Sequence, residues 1–394
     1  MSGYSPLSIK LSSDIDKQTK KNEGIFFTSQ FIVQSCINSV QQFIELTAET
    51  SILEPSCGSG EFISALLEKN HTMRITGIEN NNTIYKDVKH FESPSNPGVT
   101  IINDDFLRAV HTSKYNVIIG NPPYFVIKKN TVASVYLDYF VGRPNIFILF
   151  IIKSLSLLAD NGILCFVLPN NFLNCLYYNK TRQYIHDHFT ILNITGATGE
   201  FIDTQQETII MVVQNKVPSA SQAKYTMRFG ENIIFGSQDS IVEIQSVVKD
   251  STTINNLGLS VSVGNVVWNQ KKSQLTDDPQ HTRLIYSSDI KNGVVGIENY
   301  KHSDKKNYIN SQGIIGKTLL VNRGYGVGKY KFEFALYDST EPYLIENHII
   351  CISGDGVEKL VNSFNDKRTK KFIELYFKNN AINVSELANI LPVY

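Results

Sequence analysis

The chain has 394 residues with 37 basic and 37 acidic side chains, which allows about two domains and leaves no net charge at pH 7. The composition excludes a bulk positive field that attracts nucleic acid, so any DNA contact must come from local patches. The five cysteines form no CxxC pair and have no histidine partners at metal spacing, which predicts free thiols in a reducing compartment and no metal site.

The N-terminal part of the chain predicts neither secretion nor membrane insertion. It lacks the apolar core of a signal peptide, and the most apolar stretch, residues 145–159, is short and contains Lys153. We therefore expect an intracellular protein without membrane contact. Residues 1–24 are polar and are expected to be loosely ordered, and Thr28 or Ser29 should cap an amphipathic helix that follows.

A strand, a glycine loop and a helix follow in the order that opens a doubly wound sheet. The strand covers residues 51–55, the loop is Ser56–Gly60, and the helix begins at Glu61. Gly58 and Gly60 would let the backbone approach a ligand at the carboxyl edge of the strands. The GxGxxG spacing of a dinucleotide site is absent, so the loop alone is equally compatible with a tight turn.

The next two strands end in side chains that can bind a nucleoside. Residues 74–79 end in Glu79, where α/β folds place an acid for ribose hydroxyls, although a helix cap or a surface acid is the alternative. Residues 99–103 lead to Asp105 and Phe106, which suit the amino edge and the face of an adenine. Because parallel strands end at one edge of a sheet, we expect these side chains to share a crevice.

The fourth strand ends in the turn Asn121-Pro122-Pro123-Tyr124. Each proline fixes its own φ near about −65° and favours an extended residue before it, so the Asn121 amide and nearby carbonyls point one way. Such a turn suits a planar group that carries an NH₂, with Tyr124 as a stacking face. An isolated Pro-Pro-Tyr would be an ordinary turn, but its place after an apolar strand and downstream of a glycine loop favours a binding site.

The rest of the pattern predicts an α/β fold followed by a second domain. A flap, a buried helix and three closing strands, two of them an antiparallel edge pair, are expected at residues 125–144, 145–159, 162–169, 191–195 and 208–214. This gives a doubly wound, Rossmann-like sheet of seven strands. Beyond about residue 218 the strands are short and polar, and no long helix is expected before residues 366–377. The predicted parts are a polar segment, an α/β domain and a mostly β domain at residues 1–24, 25–225 and 226–394.

In combination, these motifs resemble the S-adenosylmethionine-dependent amino-group DNA methyltransferases that modify adenine at N6. Their order along the chain, with a recognition domain last, is similar to the gamma arrangement of the TaqI-type enzymes of type II restriction–modification systems. The motifs in this order are Phe26-Phe27-Thr28, Glu54–Gly60, Glu79, Asp105-Phe106 and Asn121–Tyr124. The resemblance covers residues 20–215 and, less closely, a target recognition domain.

The resemblance implies roles for single residues. The cofactor-binding residues would be Thr28, Glu54, Ser56, Gly58, Gly60, Glu79, Asp105 and Phe106. Of these, Glu79 takes the ribose hydroxyls and Asp105 takes the adenine amino group, while Thr28 and Glu54 lie by the methionine end. The catalytic residues would be Asn121, Pro122, Pro123 and Tyr124, and Phe201 would be a second aromatic on the target base.

In the second domain, the resemblance and the residue types predict contacts to DNA. The candidates are Trp268, Asn269, Gln270, Lys271, Arg323 and Tyr325. Asn and Gln suit adenine edges and Arg suits guanine, although polar loop residues without such a role are the alternative. The expected partner is double-stranded DNA, with a monomeric enzyme and a separate restriction endonuclease.

Three other functions fit parts of the same pattern. N4-cytosine methyltransferases grip a similar amine, but their turn more often begins with Ser than with Asn. Protein glutamine N5-methyltransferases resemble the Asn-Pro-Pro-Tyr turn, but they carry their extra domain before the fold. A catalytically silent DNA-binding subunit is the third alternative, against which the intact set of cofactor and turn residues argues.

Overall fold

The computed structural model describes residues 3–197, 207–300, 304–324, 330–377 and 381–394. It divides into two compact units, Met1–Ile241 and Val242–Tyr394. The helices of the first unit are α1 (Pro6–Asp14), α2 (Lys17–Glu23), α3 (Gln30–Gln41), α4 (Glu61–Lys69), α5 (Asn82–Val88), α6 (Ile146–Leu157) and α7 (Asn179–His188). Its strands are β1 (Ser51–Glu54), β2 (Arg74–Glu79), β3 (Val99–Asn103), β4 (Tyr115–Gly120), β5 (Leu158–Pro169), β6 (Thr190–Gly196), β7 (Thr208–Gln214), β8 (Thr226–Phe229) and β9 (Asn232–Phe235).

The first unit contains a seven-stranded sheet in the order β3-β2-β1-β4-β5-β7-β6. Strands β1 to β5 run parallel, and β7 is antiparallel to both of its neighbours. This confirms the predicted doubly wound α/β fold and its antiparallel edge. The strand order reverses between β1 and β4, so the crevice of the fold opens at the carboxyl ends of these two strands.

Helices cover both faces of this sheet because its strands are apolar on both sides. In β5, Leu164 and Phe166 belong to one core cluster with α6, while Ile163 and Cys165 belong to the opposite cluster with α3 and α4. Successive side chains of a strand point to opposite faces, so one continuous apolar run supplies both cores.

Helices α1 and α2 order most of residues 3–24, so for these residues the prediction of a loosely ordered stretch was wrong. Ser5 and Asp16 cap α1 and α2 with side-chain acceptors. Leu11 is buried in a small cluster with Phe27 and Ile84, which lie in the parts of the chain that follow. The sequence of α1 and α2 carries little amphipathic signal, and packing on Phe27 and on Ile84 of α5 supplies the missing stabilisation.

The first unit ends after the β8–β9 hairpin, 16 residues beyond the predicted boundary between residues 225 and 226. The hairpin stays with the α/β sheet because Ile233 and Phe235 are buried in the core that contains α6. The fully buried Arg182 of α7 also donates from Nε to the Ile233 carbonyl at 2.6 Å. The functional assignment of the two units remains a prediction.

The second unit is built on another seven-stranded sheet, in the order β11-β19-β17-β18-β13-β16-β12. Its strands are β10 (Thr252–Thr253), β11 (Ser260–Val263), β12 (Leu275–Thr276), β13 (Thr282–Ile285), β14 (Ile290–Lys291), β15 (Val294–Val295), β16 (Tyr308–Ile309), β17 (Ile314–Asn322), β18 (Phe334–Ile345), β19 (Ile349–Ser353) and β20 (Pro392–Val393). This sheet confirms the predicted mostly β C-terminal region.

The described residues contain four further helices: α8 (Gln238–Val248), α9 (Leu360–Asn365), α10 (Lys367–Tyr376) and α11 (Val384–Asn389). The expectation of no long helix before residue 366 missed α8, in which Ile241, Ile244 and Val247 recur at intervals of three and are buried. All five cysteines are buried and form no disulfide. Within the described ranges, no helix is long and apolar enough to cross a membrane.

Candidate active site

The glycine loop turns sharply between β1 and α4. Gly58 and Gly60 have φ values of +50° and +75°, a backbone conformation that residues with a side chain rarely adopt. The Cys57 amide donates to the Ile78 carbonyl at 2.9 Å, which ties the loop to the end of β2. The loop backbone is therefore held at the carboxyl edge of the sheet, as the sequence predicted.

Glu79, at the end of β2, connects the glycine loop to the start of α5. Its carboxylate accepts from the Gly58 amide at 2.9 Å and from the Asn81 amide at 2.7 Å. Burial raises the pKa of Glu79, and the two amide donors partly offset this effect. The carboxylate is thus fixed in orientation at the crevice.

Glu54, at the end of β1, is a buried carboxylate whose hydrogen bonding is incomplete. Its Oε2 has no hydrogen-bond partner among the described residues. Burial raises the pKa of Glu54 well above its usual range, and the charges of Glu79 and Glu61 raise it further. A buried polar atom without a partner is costly, so a donor or cation at this position would stabilise the site.

Asp105 and Phe106 lie on the turn after β3. The Asp105 Oδ1 atom accepts from the Leu107 amide at 2.9 Å, which closes the turn. The Phe106 ring is buried and packs on Phe150 of α6 with a centroid distance of 5.1 Å. Lys153 of α6 donates to the backbone carbonyls of Phe106 and Ala109, so α6 supports the turn.

The Asn121 side chain is oriented by Thr28 from another segment of the chain and by Tyr124 of its own turn. Its Nδ2 donates to Thr28 Oγ1 at 3.1 Å, and its Oδ1 accepts from the Tyr124 hydroxyl. The same hydroxyl is within 2.6 Å of the Val167 carbonyl near the end of β5. Because that hydroxyl is buried, the pKa of Tyr124 is raised well above its usual range, so Tyr124 stays a hydrogen-bond donor.

These elements surround a cavity of about 300 Å³, a size suited to a small-molecule ligand. The predicted residues that line it are Ser56, Gly58, Glu79, Asp105, Phe106, Asn121 and Pro123. Four strand ends therefore contribute to one cavity, as expected from the topology.

Five predicted residues do not line the cavity: Thr28, Glu54, Gly60, Pro122 and Tyr124. Thr28 and Tyr124 reach it through hydrogen bonds to Asn121. At Gly60, a side chain would lie 2.4 Å from Phe91, so glycine is required there by packing. Contact of its backbone with the cofactor stays a prediction. Phe201 lies outside the described residues.

Part of the cavity wall was not predicted from the sequence. Residues 22–27, at the end of α2 and just after it, form one side, and Ile146 and Phe150 of α6 form another. Gly24 lies so close to the turn that a side chain there would come within 2.9 Å of Pro123. One signal in the sequence could have pointed to α6 as part of the site. Lys153 is a single cation in the apolar α6 sequence, and a half-buried cation requires a polar partner nearby.

In the second unit, the described recognition residues lie on two segments that contact the connection between β18 and β19. Trp268, Asn269 and Gln270 form a 3₁₀ turn, which Lys271 follows. Asn347 donates to the Val266 carbonyl just before this turn, and the Arg323 amide donates to the His348 carbonyl. Both segments therefore flank the β18–β19 connection, with Asn269 and Gln270 exposed. Tyr325 lies outside the described residues.

Comparison with known proteins identifies the class of enzyme. The model of the Eco57I restriction-modification methylase family matches residues 37–201. Type II methyltransferase M.CvrRI of Paramecium bursaria Chlorella virus XZ-6E is 28% identical over 397 residues, covering 98% of each chain. The chain is a homologue of type II methyltransferases. Modification methylase CviBIII of Paramecium bursaria Chlorella virus NC1A is also 28% identical, over 405 residues and 98% of each chain.

The structure of the DrdV-DNA complex has the same fold as this methyltransferase, with a TM-score of 0.52 and 13% sequence identity. The similarity covers 88% of this chain and 50% of that chain. This likeness shows the fold alone, whereas the sequence relatives show a methyltransferase of the restriction–modification group, whose cofactor is S-adenosylmethionine. The target base, the gamma arrangement and the roles of single residues stay predictions.

Proposed function

We propose that the methyltransferase transfers a methyl group from S-adenosylmethionine to the N6 amine of a flipped adenine in double-stranded DNA. The observation that carries this proposal is the Asn121–Tyr124 turn at the cavity, with the Asn121 amide oriented by Thr28 and Tyr124. The DNA substrate is also supported by the similarity to type II methyltransferases over nearly the whole chain.

The residues of the cavity fit the cofactor. Phe106 and Phe150 offer an apolar wall for an adenine ring, and the Asp105 carboxylate beside them can accept from its amino group. Glu79 can accept from ribose hydroxyls. Outside the cavity lining, the unpartnered Glu54 Oε2 suits the cationic methionine end. When bound, S-adenosylmethionine supplies the methyl group on a positively charged sulfur. The buried carboxylates favour such a cation because it offsets their burial.

Asn121 and the Pro122 carbonyl would activate the target amine. An exocyclic adenine amine is a poor nucleophile because its lone pair is delocalised into the ring. Two acceptors on its N–H bonds favour a tetrahedral nitrogen whose lone pair can attack. Because Asn121 Nδ2 donates to Thr28 Oγ1, the side-chain amide is fixed in one orientation. Its Oδ1 acceptor is therefore already oriented before the base binds.

Tyr124 would hold the flipped base rather than exchange protons. Its buried hydroxyl anchors the ring to Asn121 and to the Val167 carbonyl. Tyr124 as a whole is half-buried, and its ring meets Phe147 edge-on at a centroid distance of 6.0 Å. Stacking on such a ring contributes about 1–3 kcal/mol per base. This offsets part of the cost of flipping, which is on the order of a few kcal/mol.

The remaining predictions concern the DNA and its partners. The turn at Trp268–Gln270 and Arg323 would read base edges, and the enzyme would act as a monomer with a separate endonuclease. Exposure of Asn269 and Gln270 supports the base contacts, because both side chains are available to a partner.

The direct test is incubation with S-adenosylmethionine and unmethylated DNA of mixed sequence, followed by mass spectrometry of the nucleosides. We expect N6-methyladenine. N4-methylcytosine would keep the fold and chemistry but overturn the interpretation of Asn121. If no base is modified, the proposal fails, and glutamine side chains of proteins become the next substrates to test.

A paired variant isolates the role of the turn. Asn121→Ala should lower kcat by about 10²- to 10³-fold, because it removes an oriented acceptor of the transition state. Cofactor affinity, measured by calorimetry, should stay within about threefold. Asn38→Ala, an exposed change on α3, is the matched control. Normal turnover of Asn121→Ala would refute its role.

A further inference from the structure

The second unit contains a separate cavity of about 390 Å³. It lies between the segment that leads into β18 and the helices α9 and α10. Its apolar side is a cluster of rings in which Phe332 packs on Phe334 and Phe364 with centroid distances of 5.4 Å and 5.1 Å. Phe364 is buried, whereas Phe332 and Phe334 are only half-buried. We call this cavity the Phe332 pocket.

The rim of the Phe332 pocket is positively charged. Lys331, Lys367 and Lys370 line it and are exposed, and none of them forms an ion pair with a described acid. Of the two acids that also line it, Asp366 is neutralised by Arg368 at 2.8 Å. Three cations therefore face the single remaining carboxylate, that of Glu374.

Flat apolar rings beside unpaired cations match the chemistry of a nucleotide. Proteins bind unstacked nucleic acid by stacking bases on aromatic side chains while basic residues follow the phosphates. We propose that the Phe332 pocket holds one unstacked nucleotide of DNA, with its base against Phe332 and Phe334 and its phosphate at Lys367 and Lys370. The choice of DNA as the source of this nucleotide rests on the proposed function.

The first test uses the whole protein and thymidine 5′-monophosphate, a probe without the adenine of the cofactor. Calorimetry should detect binding of this probe, and thymidine or inorganic phosphate alone should bind more weakly. The Lys367→Gln/Lys370→Gln double variant should weaken probe binding about tenfold, since two phosphate contacts are lost. Phe332→Leu should also weaken probe binding, because the base loses an aromatic ring on which to stack. If the wild type does not bind the probe, or the double variant binds it equally well, the pocket is not a nucleotide site.

The second test asks whether DNA is the source. The double variant should lower affinity for double-stranded DNA and reduce the slope of log K against log salt by about 1–2. Lys371→Gln is the matched control, because Lys371 is paired with Glu243 at 3.2 Å. Unchanged DNA affinity and slope would overturn DNA as the source. Because N6-methyladenine formation is assayed separately, loss of probe binding alone refutes only the pocket, and absence of methylation alone refutes only the proposed function.

Discussion

Lys153 of α6 should control cofactor affinity although it does not line the cavity in which we propose that S-adenosylmethionine binds. Its Nζ donates to the Phe106 carbonyl and, at 2.6 Å, to the Ala109 carbonyl. It also lies 5.1 Å from the centre of the Phe106 ring. Lys153→Met keeps the alkyl chain but removes the charge and both hydrogen bonds, so the turn that carries Asp105 and Phe106 loses its support.

The expected size of the effect follows from these contacts. A hydrogen bond to a charged group contributes about 1.5–3 kcal/mol, and a cation over a ring about 0.5–1 kcal/mol. Part of this is recovered when water reaches the two carbonyls, which leaves about 2–3 kcal/mol. If the cofactor must restore the turn, its affinity falls about 30- to 150-fold. The free energy of ordering the turn then appears as a higher Kd for S-adenosylmethionine.

Calorimetry with S-adenosylmethionine and steady-state methylation assays test this prediction together. For Lys153→Met, KM for the cofactor should rise while kcat at saturating cofactor stays near that of the wild type. Lys153→Arg, which keeps a cationic donor, should recover part of the affinity. Lys69→Met on the exposed end of α4 is the control for loss of one lysine. Wild-type affinity in Lys153→Met, or a loss of kcat at unchanged KM, would refute this positioning role.

Three further changes test the site and the fold. Glu79→Gln replaces one carboxylate oxygen by an NH₂ group, which then faces one of the two backbone N–H donors that the carboxylate accepts from. Cofactor affinity, measured by calorimetry, should fall about 10- to 100-fold, and unchanged affinity would argue against the role of Glu79. Burial raises the pKa of Glu386 from 4.5 to about 7. The folded chain therefore keeps a proton that the unfolded chain releases, and stability should fall by up to about 3 kcal/mol as pH rises across that range. Urea unfolding at several pH values, followed by the fluorescence of the single tryptophan, should show this fall in the free energy of unfolding for the wild type but not for Glu386→Gln. An equal fall in both proteins would contradict the assignment to Glu386. Gly24→Ala, with φ +66° and a new contact to Pro123, should lose more activity and thermal stability than Gly230→Ala, with φ +57° and no neighbour within 4 Å; equal losses would exclude the contact.

Local pattern in the sequence determined most of the sheet and the turn. The apolar run of β5 and the glycine loop could be recognised because strand periodicity and turn chemistry are properties of neighbouring residues. The Asn121–Tyr124 turn was recognised for the same reason, since two prolines restrict the backbone whatever surrounds them. The carboxyl ends of parallel strands then meet at one edge, which brought Glu79 and Asp105 to one cavity.

The tertiary structure alone decided which side chains support and enclose that cavity. The polar helices α1 and α2 are ordered by burial of Leu11 against Phe27 and Ile84, residues that are distant in sequence. Lys153 supports the Phe106 turn across 47 residues, and the lack of a side chain at Gly60 leaves room for Phe91. These contacts depend on how helices pack on the sheet. Sequence pattern reports which face of an element is apolar, but not which distant residue meets it.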